Sequence, residues 1–296
     1  MILPPEVAAR LHEAGLDPAY VEELARAALD EDLGGGVDVT SEATVLADQR
    51  ATADLVARAD GVVAGLPVAE AVLTCAAGGA ALELDQPVAD GDRVGRGVVL
   101  LTVSGPTRAL LLGERTALNL LCHLSGVATA TRRWADALEG TGAVVRDTRK
   151  TMPLLRSLEK YAVRCGGGEN HRMSLSDAAL VKDNHLVAAG GVAAAYRLVV
   201  EHFPGVPVEV EVDDVGGAVE AAEAGASLVL LDNMSPAQVR RAVAAVGGRA
   251  RVEVSGGLTL DTARAYGETG VDYLAVGELT HSAPVLDIAL DLREVS

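Results

Sequence analysis

Between residues 143 and 276 the chain repeats one local pattern: a short run of Val, Leu and Ala, then a polar tip, then a stretch with helical spacing. The runs are Ala143–Arg146, Ala178–Val181, Val206–Val210, Leu228–Leu231, Ala250–Val254 and Tyr273–Val276. Near-continuous apolar runs suit strands covered on both faces, and parallel neighbours need long crossovers. The stretches Val215–Ala224, Pro236–Val246 and Leu260–Thr269 read as those crossover helices. The pattern is that of a parallel α/β fold of about six strands. An incomplete barrel and an open doubly wound sheet both satisfy it. No Gly-x-Gly-x-x-Gly fingerprint opens the first unit, and the barrel is the expected form.

The residues before this region follow other rules. Val7, Leu11, Val21, Leu24 and Ala28 have helical spacing and predict a helix over 5–33, ending at Gly34-Gly35-Gly36. From 51 to 104, segments such as Ala53–Ala57 and Val98–Val103 alternate, with turn signals at Asp90-Gly91-Asp92 and Gly95-Arg96-Gly97. Residues 113–139 read as long helical stretches broken near Ser125-Gly126. A length of 296 residues accommodates two domains. The expected division is an N-terminal domain of 1–113, joined by the C-terminal segment 280–296, and a barrel domain of 114–279. Only 2% of residues are aromatic, so both cores must be built from Ala, Val and Leu.

A net charge of -17 argues against nucleic acid or an anionic membrane as a partner. Residues 146–185 run against that balance, with eight Lys/Arg facing five acids. A concentrated minority charge points to a small anionic ligand. Cys75, Cys122 and Cys165 have no metal-ligand spacing and read as buried thiols in a reducing cytoplasm. No secretory signal or membrane-length apolar run is evident.

The residues just past the strands carry the chemistry. Arg149 and Lys150 follow the first run, Lys182 the second, and Glu211 and Asp213 the third. Asp232 follows the fourth, Ser255-Gly256-Gly257 the fifth and Gly277 the sixth. In a parallel barrel these tips share one face. Arg suits planar carboxylates, Lys gives point charge to phosphates, and Gly-rich tips expose N–H groups to a phosphate monoester. Paired acids suit sugar hydroxyls or, through water, a Mg²⁺ on a diphosphate. The implied ligands are a phosphorylated sugar with a diphosphate leaving group and a compact polycarboxylate.

Glu114-Arg115-Thr116-Ala117-Leu118-Asn119, Asp147-Thr148-Arg149-Lys150-Thr151, Lys160-Tyr161-Ala162-Val163 and Gly166–Arg172 stand in order. They are followed by Lys182-Asp183-Asn184-His185, Glu209–Asp213, Leu231-Asp232-Asn233, Ser255-Gly256-Gly257 and Gly270–Gly277. This ordered series resembles the quinolinate phosphoribosyltransferase family over essentially the whole chain. The resemblance implies a type II phosphoribosyltransferase, with an N-terminal α/β sandwich domain joined to an incomplete parallel α/β barrel. It implies transfer of phosphoribosyl from phosphoribosyl diphosphate to quinolinate, giving nicotinate mononucleotide, diphosphate and CO₂ in the synthesis of NAD. Mg²⁺ is expected and no organic cofactor. A cytoplasmic homo-oligomer is expected, a dimer or a dimer-based hexamer, with Arg115 reaching into the partner's site.

By motif match, Arg149, His171 and Arg172 line the quinolinate pocket, with Lys150 beside them. Lys182, Glu211 and Asp232 serve the phosphoribosyl diphosphate, the two acids reaching Mg²⁺ through water. Ser255, Gly256, Gly257 and Gly277 hold the 5-phosphate, and Thr148, Val276 and Glu278 count among the substrate-binding residues. Lys150, Lys182, Glu211 and Asp232 are the expected catalytic groups. Leu154 departs from the family, which commonly has Gly there, and Met173-Ser174 replaces a frequent Leu-Gly.

Other residues carry plainer expectations. Arg156, Lys160 and Arg164 fall at i, i+4 and i+8 and read as a solvated stripe. His185 has equal claims to a local bond and to substrate, Asp213 is a sugar ligand or a neighbour of Glu211, and Gly166–Gly168 end a helix while letting His171 and Arg172 swing into the pocket. The rival reading is a molybdate-transport-associated relative with much the same motif set; Lys182 argues against it.

Overall fold

The fold is described from a computed structural model covering residues 3–293. The chain divides into two compact units. One comprises residues 3–130, 157–166 and 283–293, and the other residues 131–156 and 167–282. Residues 1, 2 and 294–296 of the expected N-terminal domain lie outside the described part.

The first unit is built on an antiparallel sheet. Strand Arg50–Ala57 lies between Val99–Pro106 and Ile288–Leu292, and Glu83–Asp85 borders Val99–Pro106 on its far side. Leu55, Leu101, Val103 and Ile288 enter one buried cluster with Leu66, Val72 and Leu73 of helix Leu66–Ala76. The single helix expected over 5–33 is two, Pro5–Glu13 and Pro18–Leu33. Gly15 takes a left-handed φ of 72°, and Asp17 accepts the Ala19 N–H ahead of Pro18, so a stop and a new N-cap fall inside one apolar periodicity.

The break expected near Ser125-Gly126 is absent, and helix Thr107–Leu138 is continuous. Both residues serve close packing instead. Ser125 exchanges hydrogen bonds with the Ala64 backbone, and a Cβ on Gly126 would collide with the Pro284 carbonyl oxygen. The solvated stripe on helix Arg156–Cys165 is also overturned, because Lys160 is completely buried. Every residue from Leu158 to Val163 is buried, so tertiary packing covers the polar face as well. Glu159 bonds His123 Nε2 at 2.8 Å, and the Arg164 guanidinium lies over the Tyr161 ring. The three cysteines form no disulfide, and each is half-buried where full burial was expected.

The second unit is the incomplete barrel. Its six strands are all parallel, in the spatial order Val144–Arg146, Tyr273–Ala275, Arg251–Ser255, Leu228–Asp232, Val208–Val212, Ala179–Val181. The first and last of these do not pair, so the sheet stays open. The third strand runs two residues later than the run Val206–Val210 suggested. Crossover helices start and stop on local signals. Asp214 accepts the Gly217 N–H, Ser235 and Thr259 close capping boxes, and Gly225 and Gly247 end helices in the left-handed conformation. Parallel strands aligned in this way place their C-terminal ends together, and the functional residues with them.

Candidate active site

A cavity of about 400 Å³ opens at those strand ends, within the second unit. Thr148, Arg149, Lys150, His171, Arg172, Lys182, Glu211, Asp232 and Ser255 line it. Leu180, Leu230, Glu253 and Ala275 complete the wall. Gly256, Gly257, Val276, Gly277 and Glu278 do not line it, and exposed Asp213 stays outside. Arg115 is exposed on helix Thr107–Leu138 of the first unit.

Each lining group is held by its tip. The Lys150 N–H donates to Thr148 Oγ1 at 3.0 Å, and the Lys150 carbonyl accepts from buried Thr280 at 2.8 Å. Gly277 leaves room for the Lys150 stem, since a Cβ there would come within 2.9 Å of its Cδ. Lys182 Nζ donates to Glu211 Oε2 at 2.6 Å across adjacent strands. Asn233 donates to Asp232 Oδ2 at 2.7 Å, and Asn233 sits so close to Gly256 that a Cβ there would collide with its side-chain oxygen. Gly256 therefore has a packing reason for lacking a side chain. Glu278 is engaged elsewhere, accepting the Trp134 indole N–H at 3.1 Å. His185 bonds locally, accepting the Lys182 N–H.

Beneath the tips lies a charged layer that sequence reading missed. The Arg146 guanidinium donates to Glu253 Oε2 at 2.6 Å and rests on the Tyr273 ring, 4.4 Å from its centroid. His171 Nε2 is 2.7 Å from Glu209 Oε2 and 3.7 Å from Glu253 Oε1. The Arg172 N–H donates to His171 Nδ1 at 2.8 Å. Nδ1 therefore carries the lone pair, and Nε2 carries the proton given to Glu209. Asp147, fully buried, accepts from the His171 N–H and the Asn170 side chain. The available signal was strand alternation, since Glu209 shares a strand face with Glu211, and Glu253 with Ser255.

The electrostatics follow from this layering. Burial, and then the neighbouring Glu209 charge, raise the Glu253 carboxyl to about 7, with Arg146 and His171 opposing. Burial, and then the Arg149 charge, lower the Arg172 guanidinium. His171, Glu209 and Glu253 bring ligand atoms within 4.8 Å of one another, as a metal triad would. Arg146 pairs with Glu253, and the neutral His171 ring already gives its Nε2 proton to Glu209, so we read the cluster as an ion pair and a hydrogen-bonded carboxylate. Glu211 and Asp232 are half-buried oxygen donors on adjacent strands, which suits a hydrated hard cation better.

Strand tips that combine Arg and Lys with two carboxylates at the open end of a parallel barrel define an enzyme site for polyanionic substrates. Comparison with known proteins narrows the class. The quinolinate phosphoribosyl transferase C-terminal domain matches residues 127–291, and the N-terminal domain of that family matches residues 38–125. The chain is 50% identical over 270 residues to a nicotinate-nucleotide pyrophosphorylase [carboxylating] of Mycobacterium leprae, covering 90% of this chain and 95% of that one. A mitochondrial quinolinate phosphoribosyltransferase [decarboxylating] of Nicotiana tabacum is 37% identical over 295 residues, covering 93% and 83%. The solved nicotinate-nucleotide pyrophosphorylase from Francisella tularensis superposes with a TM-score of 0.88 at 33% identity, covering 93% of this chain and 96% of that one. The chain belongs to the quinolinate phosphoribosyl transferase family.

Proposed function

We propose that this chain transfers phosphoribosyl from phosphoribosyl diphosphate to quinolinate and releases diphosphate and CO₂, forming nicotinate mononucleotide for NAD synthesis. The observation that carries the reading is one cavity with Arg149, Lys150 and Arg172 beside the Lys182–Glu211 pair and Asp232. Arg149 and Arg172 together exceed what a single carboxylate needs and suit a dicarboxylate.

In this reading the pyridine nitrogen forms the new bond to C1 of the ribose as the bond from C1 to diphosphate breaks. The ribose passes through an oxocarbenium-like state, so no protein nucleophile is required. Lys150 and Lys182 neutralise charge on the departing diphosphate, and Arg149 and Arg172 orient the ring carboxylates. Glu211 and Asp232 would hold Mg²⁺ through water, and the ion would supply further charge neutralisation to the diphosphate. The quaternised ring nitrogen accepts the electrons released as the adjacent carboxylate leaves as CO₂, and the ring carbon then takes up a proton. No organic cofactor enters this sequence. Ser255, with the backbone of Gly256, Gly257, Val276, Gly277 and Glu278, would receive the 5-phosphate.

Arg115 would complete the site of a second copy in a dimer or a dimer-based hexamer, and its exposure on a helix supports that role. Three thiols without a disulfide support a cytoplasmic setting. No helix among the described residues is long and apolar enough to cross a membrane. The test supplies quinolinate, phosphoribosyl diphosphate and Mg²⁺, with nicotinate in parallel, and follows CO₂ and nucleotide. Equal amounts of both from quinolinate alone support the reading, and a folded protein that binds phosphoribosyl diphosphate without turnover refutes it. Mixing Arg115→Ala with Arg149→Ala chains should restore activity to one site per mixed pair.

A further inference from the structure

Phosphoribosyl transfer uses the strand tips and leaves the charged layer below them without a role. Arg146, Glu209 and Glu253 come from alternate strands of the barrel, and both carboxylates are almost fully buried. Well-packed apolar residues would serve stability as well or better there, so these charges require another explanation.

Their contacts supply one. A first arm runs from Glu209 Oε2 to His171 Nε2 at 2.7 Å, and from His171 Nδ1 to the Arg172 N–H at 2.8 Å. A second arm runs from Glu253 Oε2 to the Arg146 guanidinium at 2.6 Å, and from there to the Asn170 carbonyl at 3.2 Å. Together they grip three consecutive residues, 170–172, of which His171 and Arg172 line the cavity. Both ring nitrogens of His171 are engaged in this frame, so the imidazole works as a link.

We propose that Glu209 and Glu253 are positioning residues that set the His171 tautomer and the placement of the 170–172 segment, and thereby aim Arg172 at the carboxylates of the pyridine substrate. The choice of substrate rests on the reading given under Proposed function. Glu209 acts on the ring, because its carboxylate receives the Nε2 proton at 2.7 Å while the Arg172 N–H meets the Nδ1 lone pair on the other side, so the two contacts fix one tautomer together. Glu253 acts on the backbone, through Arg146. Neither group needs to touch substrate.

The test compares Glu209→Leu, which removes the acceptor at similar volume, with Glu209→Gln, which restores an acceptor without the charge. KM for quinolinate and for phosphoribosyl diphosphate are measured separately, and the His171 tautomer is read from ¹⁵N shifts of the ring. Glu209→Leu should raise the quinolinate KM by about tenfold or more, as for loss of a hydrogen bond to a charged group. It should leave the diphosphate KM within about twofold and let the Nδ1-protonated form appear beside the Nε2-protonated one, because one of the two contacts that fix the ring is gone. Glu209→Gln should recover most of the quinolinate KM and the Nε2 proton. If Glu209→Leu does not fold, Glu209→Asn, one methylene shorter, draws its side-chain oxygen out of reach of His171 Nε2 while keeping a polar side chain, and the same split is expected. Unchanged tautomer and quinolinate KM in the acceptor-less variant would overturn the proposal, as would equal loss on both substrates in the Leu and Gln variants. A parent protein inert toward quinolinate would refute the substrate reading alone, since the tautomer still judges the positioning.

Discussion

Glu253 ties the stability of the second unit to pH in a direction opposite to that of most carboxylates. In the unfolded chain it ionises near 4.5; in the fold, burial first and Glu209 second raise it to about 7, against the pull of Arg146 and His171. Between those values the folded protein holds a proton that the unfolded chain has released. Rising pH therefore drains stability, beginning near 4.5 and ending once pH passes about 7. At ~1.4 kcal/mol for each pH unit, the loss across that interval approaches about 3 kcal/mol, a sizeable part of a typical folding free energy. Glu253→Gln holds the neutral form at every pH and keeps an acceptor for Arg146. Urea unfolding of parent and variant from pH 5 to pH 9 isolates the effect of this site, because titrating groups that do not interact with Glu253 cancel in the difference. Relative to the variant, the parent should lose up to about 3 kcal/mol between pH 5 and pH 8. Folding of the parent near pH 6 should take up close to one extra proton, measurable by calorimetry in buffers of different ionisation enthalpy. Parallel stability curves would refute the argument and mean that Arg146 compensates the buried charge in full.

Lys182→Ala should cost turnover heavily while changing unfolding free energy by less than about 1 kcal/mol, since the Lys182 end of its pair with half-buried Glu211 is exposed; kcat and thermal melting read the two effects. Leu154 holds a left-handed φ of 65° with its side chain mostly in solvent, so Leu154→Gly should stabilise the protein by about 0.5–1 kcal/mol, and a fall in melting temperature would contradict the strain. Gly126→Ala should destabilise by about 1–3 kcal/mol in urea titrations, because its Cβ meets backbone atoms of Pro284 and Val285. Burial raises the Cys165 thiol to about 11, so it should react with thiol reagents at pH 8 far more slowly than a free cysteine, as timed labelling with mass detection would show.

The barrel was legible because its signals are local. Apolar runs of the right length mark buried strands, and Asp214, Ser235, Thr259, Gly225 and Gly247 punctuate the helices between them. The polar residue after each run was therefore readable as a strand tip, and the tips of Arg149, Lys150, Lys182, Glu211, Asp232 and Ser255 do meet at one cavity. Spacing along the chain is a property of neighbours, and six or seven residues suffice to express it.

Tertiary structure decided whatever depends on residues distant in the chain. Helical periodicity from 5 to 33 looks the same with or without the turn at Gly15, and Gly126 reads as a breaker until the backbone of Pro284 is seen against it. Lys160 has the spacing of a surface residue and is buried all the same, because other elements cover that face. Arg146, Glu209 and Glu253 are separated by dozens of residues, and only the assembled sheet brings them around His171. Composition and periodicity report which groups prefer water on average. Whether a given charge keeps its water, or exchanges it for another charge across a barrel, is set by the packing of the folded chain.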